Sequence, residues 1–129
     1  MPLTGSRPGI SSPVVAQAAD DERERRIALN ESAFREVNER IEGAADSFGI
    51  GDQPLNLVCE CGDAECVQEI TMTRAEYEAL RSDATHFAVF PGHEIADVEE
   101  IVEKRDGYDV VRKRNGIRAE IARETDPRG

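Results

Sequence analysis

All three cysteines of the chain stand in one short stretch, Cys59-Glu60-Cys61-Gly62-Asp63-Ala64-Glu65-Cys66, and a histidine follows in Phe90-Pro91-Gly92-His93-Glu94. This cluster constrains the fold more than any other feature. Thiolate sulfur and imidazole nitrogen are ligands that zinc prefers, and a structural zinc site closes with four of them. Cys59, Cys61, Cys66 and His93 therefore make a Cys₃His set for one tetrahedral ion. Leu55, Leu57 and Cys59 alternate with Asn56, Val58 and Glu60 as in a strand, where side chains two apart share a side, so Cys59 and Cys61 can face one metal together. Gly62 and Asp63 are turn formers whose left-handed or Asx-type conformations return Cys66 to the first pair. Pro91-Gly92 is a tight-turn dipeptide at the end of the apolar run 87–90, and it presents His93 from a loop. The imidazole must then be neutral, with its second nitrogen held by an acceptor such as a carboxylate.

Other readings of these residues stay open. Cysteine is among the most buried residue types, and three can serve as core hydrophobes. A disulfide fits poorly, because the count is odd, a Cys59–Cys61 bridge closes a very short strained loop, and no secretory signal is visible. His86, Asp63, Glu65 and Glu94 compete with His93 for the fourth position. Water there would open the site to catalysis.

With 129 residues, the chain fits one domain with tails. Residues 1–19, rich in Pro, Ser, Gly and Ala, read as a disordered arm, 20–113 as a single zinc-stabilised domain, and 114–129 as a tail with a short helix over Ile117 to Glu124. Four Phe, two Tyr and no Trp give little apolar material, so a metal is a useful staple. A helix is expected from an N-cap at Asp20 or Asp21 to Asp46 or Ser47, stopped by Gly49 and Gly51. Ile27, Phe34, Ile41 and Phe48 recur every seventh residue, with Val37 and Ala44 between them, as an apolar stripe. That stripe either docks on the sheet or forms a coiled coil in which Asn30 fixes the register. Val67 to Thr71 reads as a strand. Thr73 and Glu76 make a capping box for the next helix, ending near Ser82-Asp83, and Met72 and Tyr77 form its hydrophobic staple. His86 to Phe90 is a strand, and Val98 to Glu103 pairs with Tyr108 to Arg112 around Asp106-Gly107. The expected class is α+β: a long N-terminal helix on a small zinc-stabilised antiparallel sheet, with one short internal helix.

The net charge of −11 argues against general nucleic-acid affinity and against anionic membranes. Charge is uneven, for residues 104–129 hold eight Lys and Arg against five Asp and Glu. Arg112, Lys113, Arg114 and Arg118 form the one basic patch worth weighing as a phosphate or RNA contact, though no aromatic residue interleaves to stack bases. No phosphate-cradling glycine loop, nucleophile elbow or His-Glu-x-x-His helix is present. Cys59-x-Cys61 on a strand also lacks the helix N-terminal setting of redox thiols.

The stretch from Arg26 to Lys113 resembles short uncharacterised bacterial proteins of actinobacterial type. These carry a similar helix (here Asn30 to Ile41), a Cys-x-Cys-x₄-Cys knuckle (Cys59 to Cys66), a Thr-x-x-Glu-Tyr helix (Thr73 to Tyr77) and a Pro-Gly-His-Glu turn (Pro91 to Glu94). The resemblance implies that Cys59, Cys61, Cys66 and His93 act as a unit, and it carries no activity. The reading that results is a cytoplasmic, non-enzymatic zinc module that binds another protein or itself through the helix Asp21 to Asp46. A small metalloenzyme with an open zinc and a nucleic-acid-associated factor using the basic patch are the alternatives.

Overall fold

The computed structural model describes residues 13–49, 53–95, 99–114 and 116–128. Helix α1 (Pro13–Ser47) leads into strand β1 (Leu55–Val58), the cysteine knuckle and strand β2 (Glu69–Met72). Helix α2 (Arg74–Arg81), strands β3 (His86–Val89), β4 (Glu99–Arg105) and β5 (Tyr108–Lys113), and helix α3 (Ile117–Glu124) complete the α+β fold. The strands form two antiparallel sheets, one pairing β1 with β2 and one in the order β3-β5-β4.

Local chemistry sets several of these boundaries. Thr73 accepts a hydrogen bond from the Glu76 amide at 3.1 Å and the Glu76 carboxylate accepts from the Thr73 amide at 2.8 Å, which completes the expected capping box. Met72 and Tyr77, the expected staple, are both buried in one cluster. Arg105 pairs with Tyr108 across Asp106-Gly107, where Gly107 takes a φ of 91° that a side chain would resist. The ladder slips between Ile101 and Glu103, leaving Val102 as a bulge. Val98, the first residue of that expected strand, lies outside the described residues, as do Gly51 and residues 1–12.

Strands β3 and β5 are buried on both faces. Ala88 and Val110 join Leu55, Leu57, Ile70, Met72, Tyr77 and Leu80 in one core. Phe87, Val89 and Val111 turn the other way, toward Cys59, Cys61 and Ala122. The alternation of a strand thus divides the interior into an apolar half and a half that contains the cysteines.

Three expectations require correction. The helix does not start at Asp20 or Asp21: its described part begins at Pro13, and residues 13–19, read as arm, are helical. Pro is favoured at the start of a helix, and Ala16, Ala18 and Ala19 propagate it well. The short helix expected over Ile117 to Glu124 is present as α3, but it is packed rather than free: Arg118, Ala119, Ile121 and Ala122 are buried, and Arg128 beyond it is ion-paired to Glu39, Glu42 and Glu78.

The third correction is the face by which α1 docks. Its buried residues are Ala28, Glu31, Arg35, Asn38, Glu42 and Ala45, a stripe at spacings of three and four that is polar in its middle. The apolar stripe lies beside it: Ile27, Phe34 and Ile41 are half-buried, Val37 is exposed, and Phe48 is 80% exposed. Each polar residue of the docking face meets a partner. Arg35 donates to the carbonyls of Ala84 (2.7 Å) and Ala122 (2.8 Å) and lies over the Phe87 ring. Asn38 exchanges two 2.9 Å hydrogen bonds with the Val58 backbone, acting as a further strand partner for β1. Glu31 faces Lys113 and Arg118, which also bind Glu99, so two carboxylates and two cations are buried together. Burial, opposed by Lys113, pushes the Glu31 carboxyl up to about 8, while at Glu99 burial is outweighed by the hydrogen bond from Glu31 and by Lys113, which together hold its carboxyl below the ordinary range.

Candidate metal centre

Cys59 and Cys61 follow β1 directly and are 1% and 4% exposed. The chain keeps their spacing because the residue between them is anchored on the opposite side. Glu60 is fully buried: its carboxylate accepts from both terminal nitrogens of Arg81 (2.7 and 3.1 Å), from Asn38 (2.7 Å) and from the Ala88 amide (3.1 Å). Its own amide donates to the Ala88 carbonyl at 2.8 Å. One residue therefore ties the knuckle to α1, α2 and β3 while its neighbours face the other way.

The turn that follows is an Asx turn. The Asp63 carboxylate accepts from the Glu65 amide at 2.9 Å, and the Cys66 amide donates to the Asp63 carbonyl at 3.1 Å, which folds Cys66 back. Gly62 is required for a reason that conformation alone does not supply. It is absent from the positive-φ glycines, but a Cβ at this position would stand 2.4 Å from Cγ2 of Ile27. Asn30 donates to the Gly62 carbonyl at 3.2 Å, so the polar residue read as a coiled-coil register device instead holds the knuckle to α1.

His93 arrives from the expected turn. Its amide donates to the Phe90 carbonyl at 2.9 Å across Pro91-Gly92, and Gly92 has a φ of 92°. The imidazole packs against the Phe90 ring, with centroids 5.4 Å apart. Its Nδ1 stands 3.6 Å from the sulfurs of both Cys59 and Cys66.

One ligand atom from each of Cys59, Cys61, Cys66 and His93 lies within 4.8 Å of the others, close enough to hold one metal ion. A backbone amide reaches into the group as well: that of Phe90 donates to the Cys59 sulfur at 3.1 Å. The thiols compete for charge. Cys61 is pulled down to about 5, first by the hydrogen bond from Cys59 and then by the Asp63 amide and His93, against burial. The same hydrogen bond and burial push the Cys59 thiol up, and burial pushes Cys66 up. A divalent cation resolves that conflict, since it allows all three sulfurs to be thiolates at once.

Of the competitors for the fourth position, His86 lies elsewhere. His86 is at the far end of β3, its Nε2 3.5 Å from Asp83. Asp63, Glu65 and Glu94 do not join the group, although Oε1 of Glu94 is buried with no hydrogen-bond partner among the described residues. No carboxylate among the described residues bonds the second nitrogen of His93, contrary to the expected acceptor. Glu60, Arg81 and Asn38, which position the site, escaped sequence reasoning. The only signal for them is that Glu60 stands between two cysteines read as facing one metal, which sends its side chain to the opposite side; the strand itself ends earlier, at Val58.

The basic patch is also divided by the fold. Arg112 and Arg114 are exposed, whereas Lys113 and Arg118 are buried against Glu31 and Glu99. No helix among the described residues is long and apolar enough to cross a membrane. Comparison with known proteins found no matching family model, curated protein or solved structure.

Proposed function

We propose that the chain is a zinc-stabilised interaction module, in which Cys59, Cys61, Cys66 and His93 hold one structural zinc ion and the surface around α1 binds another protein. The convergence of four soft and borderline ligand atoms within 4.8 Å, with the Phe90 amide donating to the Cys59 sulfur, carries the metal half of this reading. Three thiolates and an imidazole suit zinc above the oxygen-seeking cations. Leu29 and Val37, exposed on α1, and Phe48, exposed directly after it, support the interaction half, because apolar side chains left in water on one side of the protein favour association.

Structural zinc contributes on the order of 10–16 kcal/mol in small domains, so folding between Leu55 and Arg112 should depend on it. Elemental analysis is expected to find one zinc per chain, and chelation to lower the unfolding temperature sharply. Cys59→Ser, Cys61→Ser, Cys66→Ser and His93→Ala should each lose metal, whereas His86→Ala, which removes only the Asp83 contact, should retain it. Metal-free protein with unchanged unfolding refutes the reading.

A second reading, a metalloenzyme whose metal carries water, is favoured by the unpartnered buried oxygen of Glu94 beside His93. X-ray absorption distinguishes the two: a fourth ligand of oxygen in place of the imidazole nitrogen transfers the assignment to that reading.

A further inference from the structure

On the side of the β3-β5-β4 sheet where β5 hands over to α3, an open concavity of about 630 Å³ is lined by Arg112, Arg114 and Arg123 together with Asp83, Thr85 and Glu100. Its volume is in the range of small-ligand sites. The strand register creates it. Arg112 and Arg114 are two apart and turn to the same side, while Lys113 between them turns inward to Glu31 and Glu99. Arg123 comes from the last turn of α3.

The charges facing the cavity are unequally matched. Arg112 is paired with Glu100, and the Asp83 carboxylate accepts from the amide and hydroxyl of Thr85 at 2.8 and 2.7 Å. Neither Arg114 nor Arg123, both of which line the cavity, forms an ion pair among the described residues. Acidic residues outnumber basic ones by 27 to 16 in this chain, yet three guanidiniums share one concavity with two carboxylates that are already engaged.

We propose that this concavity binds the phosphate group of a small phosphomonoester through Arg112, Arg114 and Arg123. Planar guanidiniums present paired N–H donors that match phosphate oxygens, and several converging on one anion reinforce each other. The lining contains no aromatic side chain, so a base has nothing to stack on and the phosphate is the recognised group. A long nucleic acid would also have to lie across a chain of net charge −11, which disfavours it against a small dianion.

The test is an NMR titration of the zinc-loaded full chain with inorganic phosphate and with glycerol 2-phosphate, at ionic strength held constant with sodium chloride. Saturable shifts are expected at the side chains of Arg112, Arg114 and Arg123 and at the Thr85 amide, with a dissociation constant on the order of 1 mM. Arg114→Gln and Arg123→Gln, both at exposed positions, should each weaken binding about tenfold while leaving the remaining spectrum and the unfolding temperature unchanged. The proposal is overturned if no saturation occurs by about fifty times that concentration. It is equally overturned if the Arg114→Gln, Arg123→Gln double variant binds as well as the parent, or if a single-stranded oligonucleotide binds at these residues and the phosphomonoester does not.

Discussion

Arg81→Met isolates the interaction on which the knuckle is mounted. The Arg81 and Glu60 side chains are 2% and 0% exposed and joined by two hydrogen bonds, and the guanidinium also lies over the rings of Tyr77 and Phe87. Methionine keeps much of the aliphatic stem but leaves the Glu60 carboxylate with only Asn38 and the Ala88 amide as donors. Removing one member of a buried pair costs about 3–5 kcal/mol, because the remaining charge cannot regain water. Domains of this size have about 5–15 kcal/mol in total, so the variant should fold marginally even with metal bound. Neutralising the orphan should help. Glu60→Gln in the Arg81→Met background is expected to be less destabilising than the sum of the single changes, with a coupling of about 1–3 kcal/mol. Urea unfolding of the zinc-saturated proteins at pH 7 measures this directly, provided the m-values agree. Additive single and double variants, or an Arg81→Met cost below about 1 kcal/mol, would refute the idea that Glu60 and Arg81 act as a charged unit.

Gly62→Ala should destabilise the protein by about 1–3 kcal/mol, because its Cβ meets the stiff, β-branched Ile27 at 2.4 Å. Ile27→Ala should restore part of that loss in a thermal unfolding comparison, and no restoration would remove the clash as the cause. Stability should also depend on pH through Glu31. Its folded pKa, raised to about 8 from an ordinary 4.5, means that the folded state keeps a proton the unfolded chain has released. The associated stability is complete below the unfolded value and is lost as pH rises through the folded one, at up to about 1.4 kcal/mol per pH unit. Zinc-loaded protein should therefore show a lower urea midpoint at pH 8 than at pH 6, and Glu31→Gln should flatten the difference. A midpoint that rises over this interval contradicts the assignment.

Short-range chemistry was readable from the residues themselves. The Thr73–Glu76 capping box, the Asp106-Gly107 hairpin, the Asx turn at Asp63 and the Pro91-Gly92 turn each need only a few neighbouring residues with restricted backbone choices. The same locality explains why the Cys-x-Cys spacing and His93 could be read as one set. Two tight turns bring Cys66 and His93 to the group, while Cys59 and Cys61, just past the end of β1, keep their common side because Glu60 between them is anchored opposite.

The docking face of α1 was not readable in this way. Hydrophobic periodicity selects the stripe through Ile27, Phe34, Ile41 and Phe48, and it assumes that apolar surface decides which side goes inward. Here Glu31, Arg35, Asn38 and Glu42 go inward, because partners distant in sequence satisfy them: Lys113 and Arg118, the carbonyls of Ala84 and Ala122, the Val58 backbone, and Arg74 with Arg128. A buried polar side chain is tolerable only when its hydrogen bonds are made, and those partners exist only once the chain has folded. The sequence by itself thus determined the caps, the turns and the ligand spacing. Tertiary structure alone decided which charges are buried, where Glu60 is anchored, and which arginines remain at the surface.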